Sequence, residues 1–246
     1  MRRLLLLLGL FSVRLARAAD APEPDCVVLL HGIGMQGFVM ERIATNLETQ
    51  GYRVVNVSYP SREMPFEKLA GEYLPARLKE HDVARAPRLN FVTHSMGSLI
   101  VRKLIQDARP ANLGRVVMIG PPNHGSTAAD EASRNFLLSE YGGENLARLG
   151  TGDNSIVSTL GPADFDLGII AGEVPLNPVF GNVLAGKNDG AVTIESAKLE
   201  GMHDFLVVPY SHTVMLWREE VVAQVIAFLH DGKFKHAAPE AVPAKP

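Results

Sequence analysis

The chain has 246 residues, of which 46% are apolar and 21% charged, and its formal net charge is −3. These fractions are typical of a globular protein and exclude a wholly disordered or collagen-like chain. The length suits one domain with a substantial core. The single cysteine, Cys26, excludes an internal disulfide framework and a metal cluster held by several thiolates.

The N-terminus has the three parts of a secretory signal peptide. Residues 1–3 are basic, residues 4–13 are apolar, and residues 16–18 form an A-x-A cleavage site. We therefore expect residues 1–18 to direct export to the periplasm or the cell exterior. An uncleaved N-terminal anchor is the alternative, because the region before the cleavage site is unusually basic. Cleavage would remove four arginines and change the net charge from −3 to −7, which disfavours binding to nucleic acid.

Short apolar runs alternate with segments of helical periodicity over residues 25–230, the predicted domain. Strands are predicted at residues 26–30, 52–57, 89–93, 116–119, 166–171 and 205–209. Helices are predicted at residues 40–50, 66–85, 99–107, 131–138 and 213–229. Pro75 should kink or break the second of these helices. The alternation predicts an α/β fold, with a mostly parallel sheet covered by helices on both faces.

Two stretches depart from this alternation. Residues 125–166 have weak periodicity, and we expect them to form a small cap-like insertion. Its apolar residues would either line an acyl pocket or pack against the core; they are Phe136, Leu137, Leu138, Tyr141 and Leu146. Residues 231–246 are polar and rich in proline and alanine, which predicts a disordered tail. The last helix should bury one apolar stripe, made of Val214, Trp217, Val221, Val225 and Phe228.

Ser95 lies in the segment THSMG at residues 93–97, between the third strand and an apolar helix. A serine in a sharp strand-to-helix turn projects its hydroxyl above the sheet, where it can act as a nucleophile. Small neighbours such as Gly97 let such a turn close. The G-x-S-x-G pattern of these turns is incomplete, because Thr93 stands in place of the first glycine. The motif by itself is explained equally well by Ser95 as a helix N-cap.

The segment HGIG at residues 31–34 follows the first strand, where an acyl-transfer enzyme on such a sheet needs an oxyanion donor. Gly32 and Gly34 would let the backbone approach closely and aim the Ile33 amide at a developing oxyanion. The Met96 amide, directly after the serine, would be the second donor. A simple glycine turn between strand and helix is the alternative for this segment.

His212 and Asp189 are the candidate base and orienting acid for a nucleophilic serine. His212 follows the last strand, and Asp189 follows the fifth strand by about seventeen residues, so both are expected at the carboxyl edge of the sheet. A surface histidine and an ordinary N-D-G turn are the alternatives. The competing groups precede their strands and are expected at the opposite edge; they are Asp164, Asp166, His203 and Asp204.

Three further histidines are candidates for supporting roles. His94 adjoins the serine and should point sideways, as a packing residue or a support for the oxyanion site. His31 should hydrogen-bond to the backbone of its own loop. His124 is a candidate for the rim of the pocket. None of the three displaces His212 as the candidate base.

These motifs together resemble those of small bacterial lipases and esterases of the α/β-hydrolase superfamily. The resemblance rests on HGIG at 31–34, HSMG at 94–97, and DGAV at 189–192 with a later Ser-His pair, in matching order. Some of those lipases carry alanine in place of the first glycine of the serine turn. The segment GPPNHGS at 120–126 is similar to a P-x-x-G-S segment of lipases and acyltransferases. The resemblance covers about residues 27–229.

The resemblance implies an α/β-hydrolase fold and a serine hydrolase that cleaves carboxylic esters. It implies Ser95 as nucleophile, His212 as base and Asp189 as the orienting acid, with lipid-like esters as substrates and transient contact with a lipid interface. Acyltransferases, thioesterases and amidases use the same residue set, so they remain alternatives. A non-catalytic binding protein of the same fold is the alternative from another class. No cofactor is implied, and the sequence has no carboxylate cluster that would hold calcium.

Overall fold

The computed structural model describes residues 23–176 and 184–236. Within them, six strands form one sheet in the order β2-β1-β3-β4-β5-β6, and all neighbouring strands are parallel. The strands are β1 (Cys26–Leu30), β2 (Arg53–Val57), β3 (Leu89–His94), β4 (Leu113–Ile119), β5 (Leu167–Gly172) and β6 (Asp204–Val208). All six predicted strands are present. The predicted signal peptide lies outside the described residues, as do residues 237–246.

Helices cover both faces of this sheet, which confirms the predicted α/β class. They are α1 (Glu41–Thr49), α2 (Phe66–Lys68), α3 (Leu74–Glu80), α4 (Met96–Ala108), α5 (Thr127–Arg134), α6 (Phe136–Arg148), α7 (Ile194–Ala197) and α8 (Glu219–Asp231). No helix in the described part of the chain is long and apolar enough to cross a membrane.

The core lies in two layers, one on each side of the sheet. In β1, Val27 and Leu29 belong to the layer under α1 and α8, whereas Val28 and Leu30 belong to the layer under α2, α3 and α4. Since all five residues of β1 are buried, the strand has a continuous apolar sequence without polar alternation. Cys26 is one of the five, and burial raises the pKa of its thiol.

The segment predicted as one kinked helix is divided by a π-helical turn. This turn, Leu69–Tyr73, lies between α2 and α3, and the i to i+5 bonding of such a turn is a common cause of bends. Pro75 lies in the first turn of α3. A proline is tolerated there because the first amides of a helix have no acceptor within that helix.

The predicted final helix begins later than its apolar pattern indicates. A 3-10 turn, Val214–Trp217, comes first, and Arg218 then has the extended backbone that precedes α8. This break rotates Trp217 out of the apolar stripe and leaves it 46% exposed. The prediction that Trp217 belongs to the buried stripe is therefore wrong.

Between β4 and β5 lies the insertion predicted as a cap, where one helix was predicted and two are present. Asn135 has extended backbone angles and ends α5, and α6 begins at the next residue.

At the other end of the domain, the first residues of the predicted tail are packed: Phe234 is buried against Phe228 of α8. The chain is thus folded through His236, the last described residue.

Candidate active site

The candidate residues of the sequence meet at the carboxyl edge of the sheet. Parallel strands place all their carboxyl ends at one edge, where ligands bind in open α/β sheets. Ile33 follows β1, Ser95 follows β3, and His212 follows β6. All three line one cavity of about 230 Å³. Asp189, in the loop between β5 and α7, contacts His212 directly.

Ser95 occupies a strained turn between β3 and α4. Its backbone has φ 52° and ψ −124°, and among the described residues the only other non-glycine residue with positive φ is Asp82. The Ser95 side chain makes no capping hydrogen bond to α4, so the interpretation of Ser95 as an ordinary N-cap is wrong. A positive φ costs a non-glycine residue about 1–3 kcal/mol and is found mostly at functional sites.

Thr93 stands where a glycine is usual, and its surroundings explain why a larger residue fits. The side chain is fully buried, and its Oγ1 lies 2.9 Å from the hydroxyl of Ser98, in the first turn of α4. Each hydroxyl thereby gains a hydrogen-bond partner, so neither is left buried without a hydrogen bond. Thr93 therefore packs beneath the serine turn without blocking it.

Two glycines let the serine turn and the loop after β1 come into contact. A Cβ atom on Gly97 would lie 2.8 Å from the backbone oxygen of His31 and 2.9 Å from that of Leu30. A Cβ atom on Gly32 would lie 2.8 Å from Nδ1 of His94. Since real Cβ atoms do not approach other atoms so closely, only glycine fits at either position without a shift of its neighbours.

His212 and Asp189 form a hydrogen-bonded pair in which the carboxylate is buried and the histidine is partly exposed. Nδ1 of His212 lies 2.8 Å from Oδ2 of Asp189, whose side chain is 1% exposed. The other carboxylate oxygen, Oδ1, accepts the amides of Ala191 and Val192 at 2.9 and 2.8 Å. An ionised carboxylate accepts the Nδ1 proton, so Nε2 is the ring nitrogen left with a free lone pair. The competing pair, Asp166 with His203, also has a 2.9 Å contact, but Asp166 lies before β5.

His94 supports the base by holding its main chain. Its Nε2–H donates to the carbonyl oxygen of His212 at 3.0 Å, and the two rings lie 4.6 Å apart. Burial, and secondly the nearness of His212, hold the pKa of His94 well below its usual value. Its Nδ1 is buried and has no hydrogen-bond partner in the described residues. His94 is therefore a neutral packing partner of His212.

His31 determines the direction of the Ile33 amide. Its Nδ1 donates to the carbonyl oxygen of Gly32 at 2.8 Å, while its Nε2 accepts the amide of Tyr59 at 3.2 Å. The N–H of a trans peptide points away from its C=O, so a fixed Gly32 carbonyl fixes the Ile33 N–H on the opposite side. Burial lowers the pKa of His31, which favours the neutral form that this pair of bonds requires.

The Met96 amide is the first of α4, a helix of 13 residues. The first amides of a helix have no acceptor within it, and the helix dipole favours negative charge at that end. Within the described residues, neither the Ile33 nor the Met96 amide is used in another hydrogen bond. Both are consequently available to an anionic oxygen.

Sequence reasoning did not identify Tyr59, which braces the loop after β1. Its ring stacks on His31 with centroids 4.2 Å apart, and its hydroxyl donates to the His31 carbonyl at 2.5 Å. It also missed Ser61, whose Oγ accepts the amide of Gly34, and Asn145, which bonds to the main chain of Ser61. These residues lie in irregular loops and in the cap, where no local motif marks them.

The cavity beside Ser95 is mainly apolar. Its cap side is formed by Ala128, Ala129, Ala132, Leu146 and Leu149. Phe136 and Leu137 fit neither predicted alternative, because both are 75% exposed and so neither line the cavity nor pack against the core. The side chains of Leu138 and Tyr141 lie outside the described part of the structure. His124 is exposed and is not part of the cavity wall, although Pro122 and Ser126 of the same segment are.

In the ranges 23–176 and 184–236, no group of three or more histidine, cysteine or acidic side chains is arranged to hold a metal ion.

The sheet, the serine turn and the positions of the loops define an α/β-hydrolase fold, as the sequence resemblance implies. A lipase from Bacillus licheniformis in its mature form has the same fold, with a TM-score of 0.65, 20% identity, and coverage of 86% of this chain and 94% of that chain. A thermophilic esterase from Thermogutta terrifontis gives a TM-score of 0.61 at 13% identity, with coverage of 85% and 91%. The phospholipase PlaB from Legionella pneumophila gives 0.57 at 16% identity, with coverage of 76% and 53%. No protein-family model matches the sequence, and no curated protein sequence matches it significantly.

Proposed function

We propose that the chain is a serine hydrolase that cleaves carboxylic esters through a covalent acyl-enzyme. The observation that carries the proposal is the pair of His212 and Asp189, at 2.8 Å, beside a cavity that also contains Ser95 in a positive-φ turn without a capping bond. A nucleophilic serine requires a base and an acid that orients the base. The structural similarity to lipases and esterases supports the same reaction class.

In the proposed first step, Oγ of Ser95 attacks the ester carbonyl carbon while Nε2 of His212 takes the hydroxyl proton. The carbonyl oxygen becomes an oxyanion that accepts hydrogen bonds from the Ile33 and Met96 amides. The C–O bond of the ester then breaks, and the imidazolium returns its proton to the departing alcohol. Asp189 stabilises the imidazolium and preserves the tautomer that has its lone pair on Nε2.

In the second step, water replaces the alcohol. His212 takes a proton from this water, which attacks the acyl carbonyl carbon, and the same two amides receive the second oxyanion. Collapse of this intermediate breaks the bond to Ser95, and the proton held by His212 passes to the serine oxygen. The products are the carboxylic acid and the regenerated enzyme, so no further reactant is required.

Esters with apolar acyl chains are the proposed substrates. The cavity wall on the cap side consists of alanine and leucine side chains, and the cavity volume is about 230 Å³. This is below the range of about 300–1,000 Å³ of typical ligand pockets, and it therefore favours short to medium chains. The cavity has room for the acyl group beside Ser95, so the alcohol portion would lie toward solvent.

Covalent labelling and ester hydrolysis test this proposal together. A fluorophosphonate probe should label the wild-type protein with one probe per chain, and p-nitrophenyl butyrate should be hydrolysed. Ser95→Ala should abolish labelling and reduce hydrolysis to near the rate in buffer, because no other group supplies the nucleophile. Ser58→Ala, at an exposed serine outside the cavity, is the matched control. A wild-type protein that is neither labelled nor active would instead indicate a non-catalytic binding protein.

A further inference from the structure

The Ile33 amide lies in a tight turn whose type can be assigned from its backbone. The Met35 N–H donates to the Gly32 carbonyl at 3.3 Å, which makes Ile33 and Gly34 the two central residues. Gly34 has φ 69°, and Ile33 is not among the residues with positive φ. This combination defines a type II turn, which differs from type I in the orientation of the peptide between its central residues.

Ser61 fixes the orientation of that central peptide. The Gly34 N–H donates to Oγ of Ser61 at 2.9 Å, and Ser61 is only 3% exposed, so water does not compete readily for this bond. On the other side of Ile33, His31 holds the carbonyl of Gly32. Ile33 therefore joins two peptide groups that are each held by a side chain. His31 holds the preceding peptide through the Gly32 carbonyl, and Ser61 holds the following peptide through the Gly34 N–H.

Asn145, in α6 of the cap, in turn fixes the position of Ser61. Asn145 is fully buried, and its Nδ2 donates to the carbonyl oxygens of Ser61 and Met64, each at 2.9 Å. Its Oδ1 accepts the amide of Phe66 at 3.1 Å. Asn145 thus ties the loop after β2 to the cap, and the next residue, Leu146, lines the cavity.

We propose that Ser61 and Asn145 are positioning residues for the oxyanion donor. Hydrogen bonds link the cap, through Asn145 and Ser61, to the turn that presents the Ile33 amide. The wall of the acyl cavity and one oxyanion donor are therefore held by the same polar contacts. This inference rests on the proposed function, since the direction of the Ile33 amide affects a reaction only if an oxyanion forms beside Ser95.

Loss of the Ser61 hydroxyl should weaken binding of the transition state and leave binding of the substrate nearly unchanged. Loss of its Ser61 acceptor lets the Gly34 N–H turn toward water, and the central peptide of the turn is then held less firmly. Removal of a whole oxyanion donor costs about 10²–10³-fold in turnover. Because the Ile33 amide would be loosened but not removed, we expect kcat of Ser61→Ala to fall about 10-fold, with KM within about twofold of wild type.

The matched control is Ser58→Ala. The Ser58 hydroxyl also accepts a loop amide, that of Gly37 at 3.2 Å, but Gly37 lies beyond the turn that contains Ile33. Both variants thus remove a hydroxyl that accepts a glycine amide, and only one of these amides belongs to the oxyanion turn. Ser58→Ala should therefore retain the wild-type kcat and KM, with Tm measured for both variants.

The decisive measurement compares hydrolysis of p-nitrophenyl butyrate with inhibition by butylboronic acid, which forms a tetrahedral adduct with a nucleophilic serine. In Ser61→Ala, boronate affinity and kcat should fall by the same factor, while fluorophosphonate still labels one site per chain. A purely structural role for Ser61 would lower Tm without this parallel loss. Unchanged kcat and boronate affinity in Ser61→Ala, or a loss confined to KM, would overturn the inference.

Asn145→Asp tests the link to the cap. The carboxylate can still accept the Phe66 amide but cannot donate to the carbonyl of Ser61, so kcat and boronate affinity should fall together, as in Ser61→Ala. If this variant does not fold, Ser61→Ala alone decides the inference. If the wild type is active and Ser61→Ala is unaffected, only the positioning role is contradicted. If the wild type is neither labelled nor active, the proposed function is contradicted, and the inference with it.

Discussion

Asp189 holds His212 at two places, the ring and the main chain. Its Oδ2 lies 2.8 Å from Nδ1 of the ring, and its carbonyl oxygen accepts the His212 amide at 3.0 Å. The His212 carbonyl is bound from the other side by His94. The imidazole therefore has one favoured position and one favoured tautomer, and both depend on Asp189.

Asp189→Asn should preserve this geometry and reverse the tautomer. The Asn Oδ1 can still accept the amides of Ala191 and Val192, which leaves the Nδ2 donor facing His212. Nδ1 must then accept a hydrogen bond, and Nε2 carries the proton and cannot take one from Ser95. We expect kcat to fall about 10⁴-fold, as it does when the same change is made in serine proteases.

A second pair in the same chain provides the control for this prediction. Asp166 accepts from His203 and from Arg115, each at 2.9 Å, so Asp166→Asn makes the same acid-to-amide change in a more exposed histidine pair before β5, outside the cavity. Its kcat toward p-nitrophenyl butyrate should match the wild type. If Asp189→Asn kept the wild-type kcat, the orienting acid would have to be a different carboxylate.

Gly97→Ala should disrupt contact between the serine turn and the loop after β1. The added methyl group would lie 2.8 Å from the His31 carbonyl oxygen and 2.9 Å from that of Leu30, and neither backbone atom can move freely within a packed core. We expect the free energy of unfolding to fall by about 1–3 kcal/mol and kcat to fall as the Ile33 and Met96 amides separate. Urea unfolding and steady-state kinetics measure the two effects.

Gly71→Ala is the control for that substitution. Gly71 lies in the π-helical turn, and apart from the adjoining backbone of this helix, no atom of the described residues lies within 4 Å of the position where its Cβ would be. Alanine should therefore leave kcat unchanged, and it should stabilise the helical turn slightly because glycine loses more backbone entropy on folding. Equal destabilisation by both substitutions would indicate that the close contacts of Gly97 are not the cause.

The strands and the edge that holds the site could be predicted because they depend on local patterns. A buried parallel strand such as β1 needs a continuous apolar run, and that run is visible in the sequence. The positions of Asp189 and His212 after their strands place them at the same edge, whatever the detailed loop conformation. The 2.8 Å contact between the two side chains is known only from the structure, because no sequence pattern specifies a distance.

The parts that could not be predicted depend on contacts between distant segments. Asn145 and Ser61 are 84 residues apart in the sequence, and no motif at either residue predicts its contact with the other. Trp217 has the correct spacing for a buried stripe, but a 3-10 turn displaces it from α8. Phe136 is apolar and belongs to the cap, yet periodicity cannot specify which side of the cap faces the cavity.

Stability should decline below about pH 6.5 partly because of His94. Burial holds its pKa well below 6.5 in the folded protein, so below pH 6.5 the unfolded chain binds a proton that the folded chain does not. Since ∂ΔG/∂pH is then positive, the free energy of unfolding decreases as pH falls, by up to about 1.4 kcal/mol per pH unit. Above pH 6.5, both states are neutral at this residue and the effect disappears.

Urea unfolding at pH 7.5 and pH 5.5 tests the contribution of His94. His94→Gln removes the titrating group and keeps an amide that can donate to the His212 carbonyl. The variant should lose less free energy of unfolding than the wild type between the two pH values, by about 1 kcal/mol. The absolute stability of the variant does not matter, because only the change with pH is compared. Equal losses in both proteins would show that His94 is protonated when folded.

Ala132 should limit the length of the acyl chain that the cavity accepts. It lies on α5 and lines the cavity together with Ala128 and Ala129, so Ala132→Leu would fill part of the space. We expect kcat/KM for p-nitrophenyl octanoate to fall at least about 10-fold relative to that for the acetate, since each buried methylene contributes about 0.8 kcal/mol. Ala147→Leu, at an exposed position of α6, should leave the profile of rate against chain length unchanged.

For the proposed lipid-like substrates, we expect the exposed aromatic residues that precede α1 and α8 to contact the lipid surface. Phe38, 71% exposed, and Trp217, 46% exposed, lie just before α1 and α8. An ion pair of Arg42 with Glu219, at 2.7 Å, joins the starts of these two helices, which both begin at the carboxyl edge of the sheet.

The double variant Phe38→Ser, Trp217→Ser should lose activity on aggregated lipid and keep activity on a dissolved ester. The aromatic side chains would no longer enter the lipid interface, whereas the cavity beside Ser95 would be unaffected. We expect hydrolysis of emulsified tributyrin to fall at least about fivefold, and that of dissolved p-nitrophenyl acetate to stay within twofold. Val207→Thr removes an exposed apolar side chain in β6 that does not belong to this aromatic pair, and should change neither rate. A parallel loss on both substrates would mean that the aromatic pair acts on the fold or the site, and not on the lipid interface.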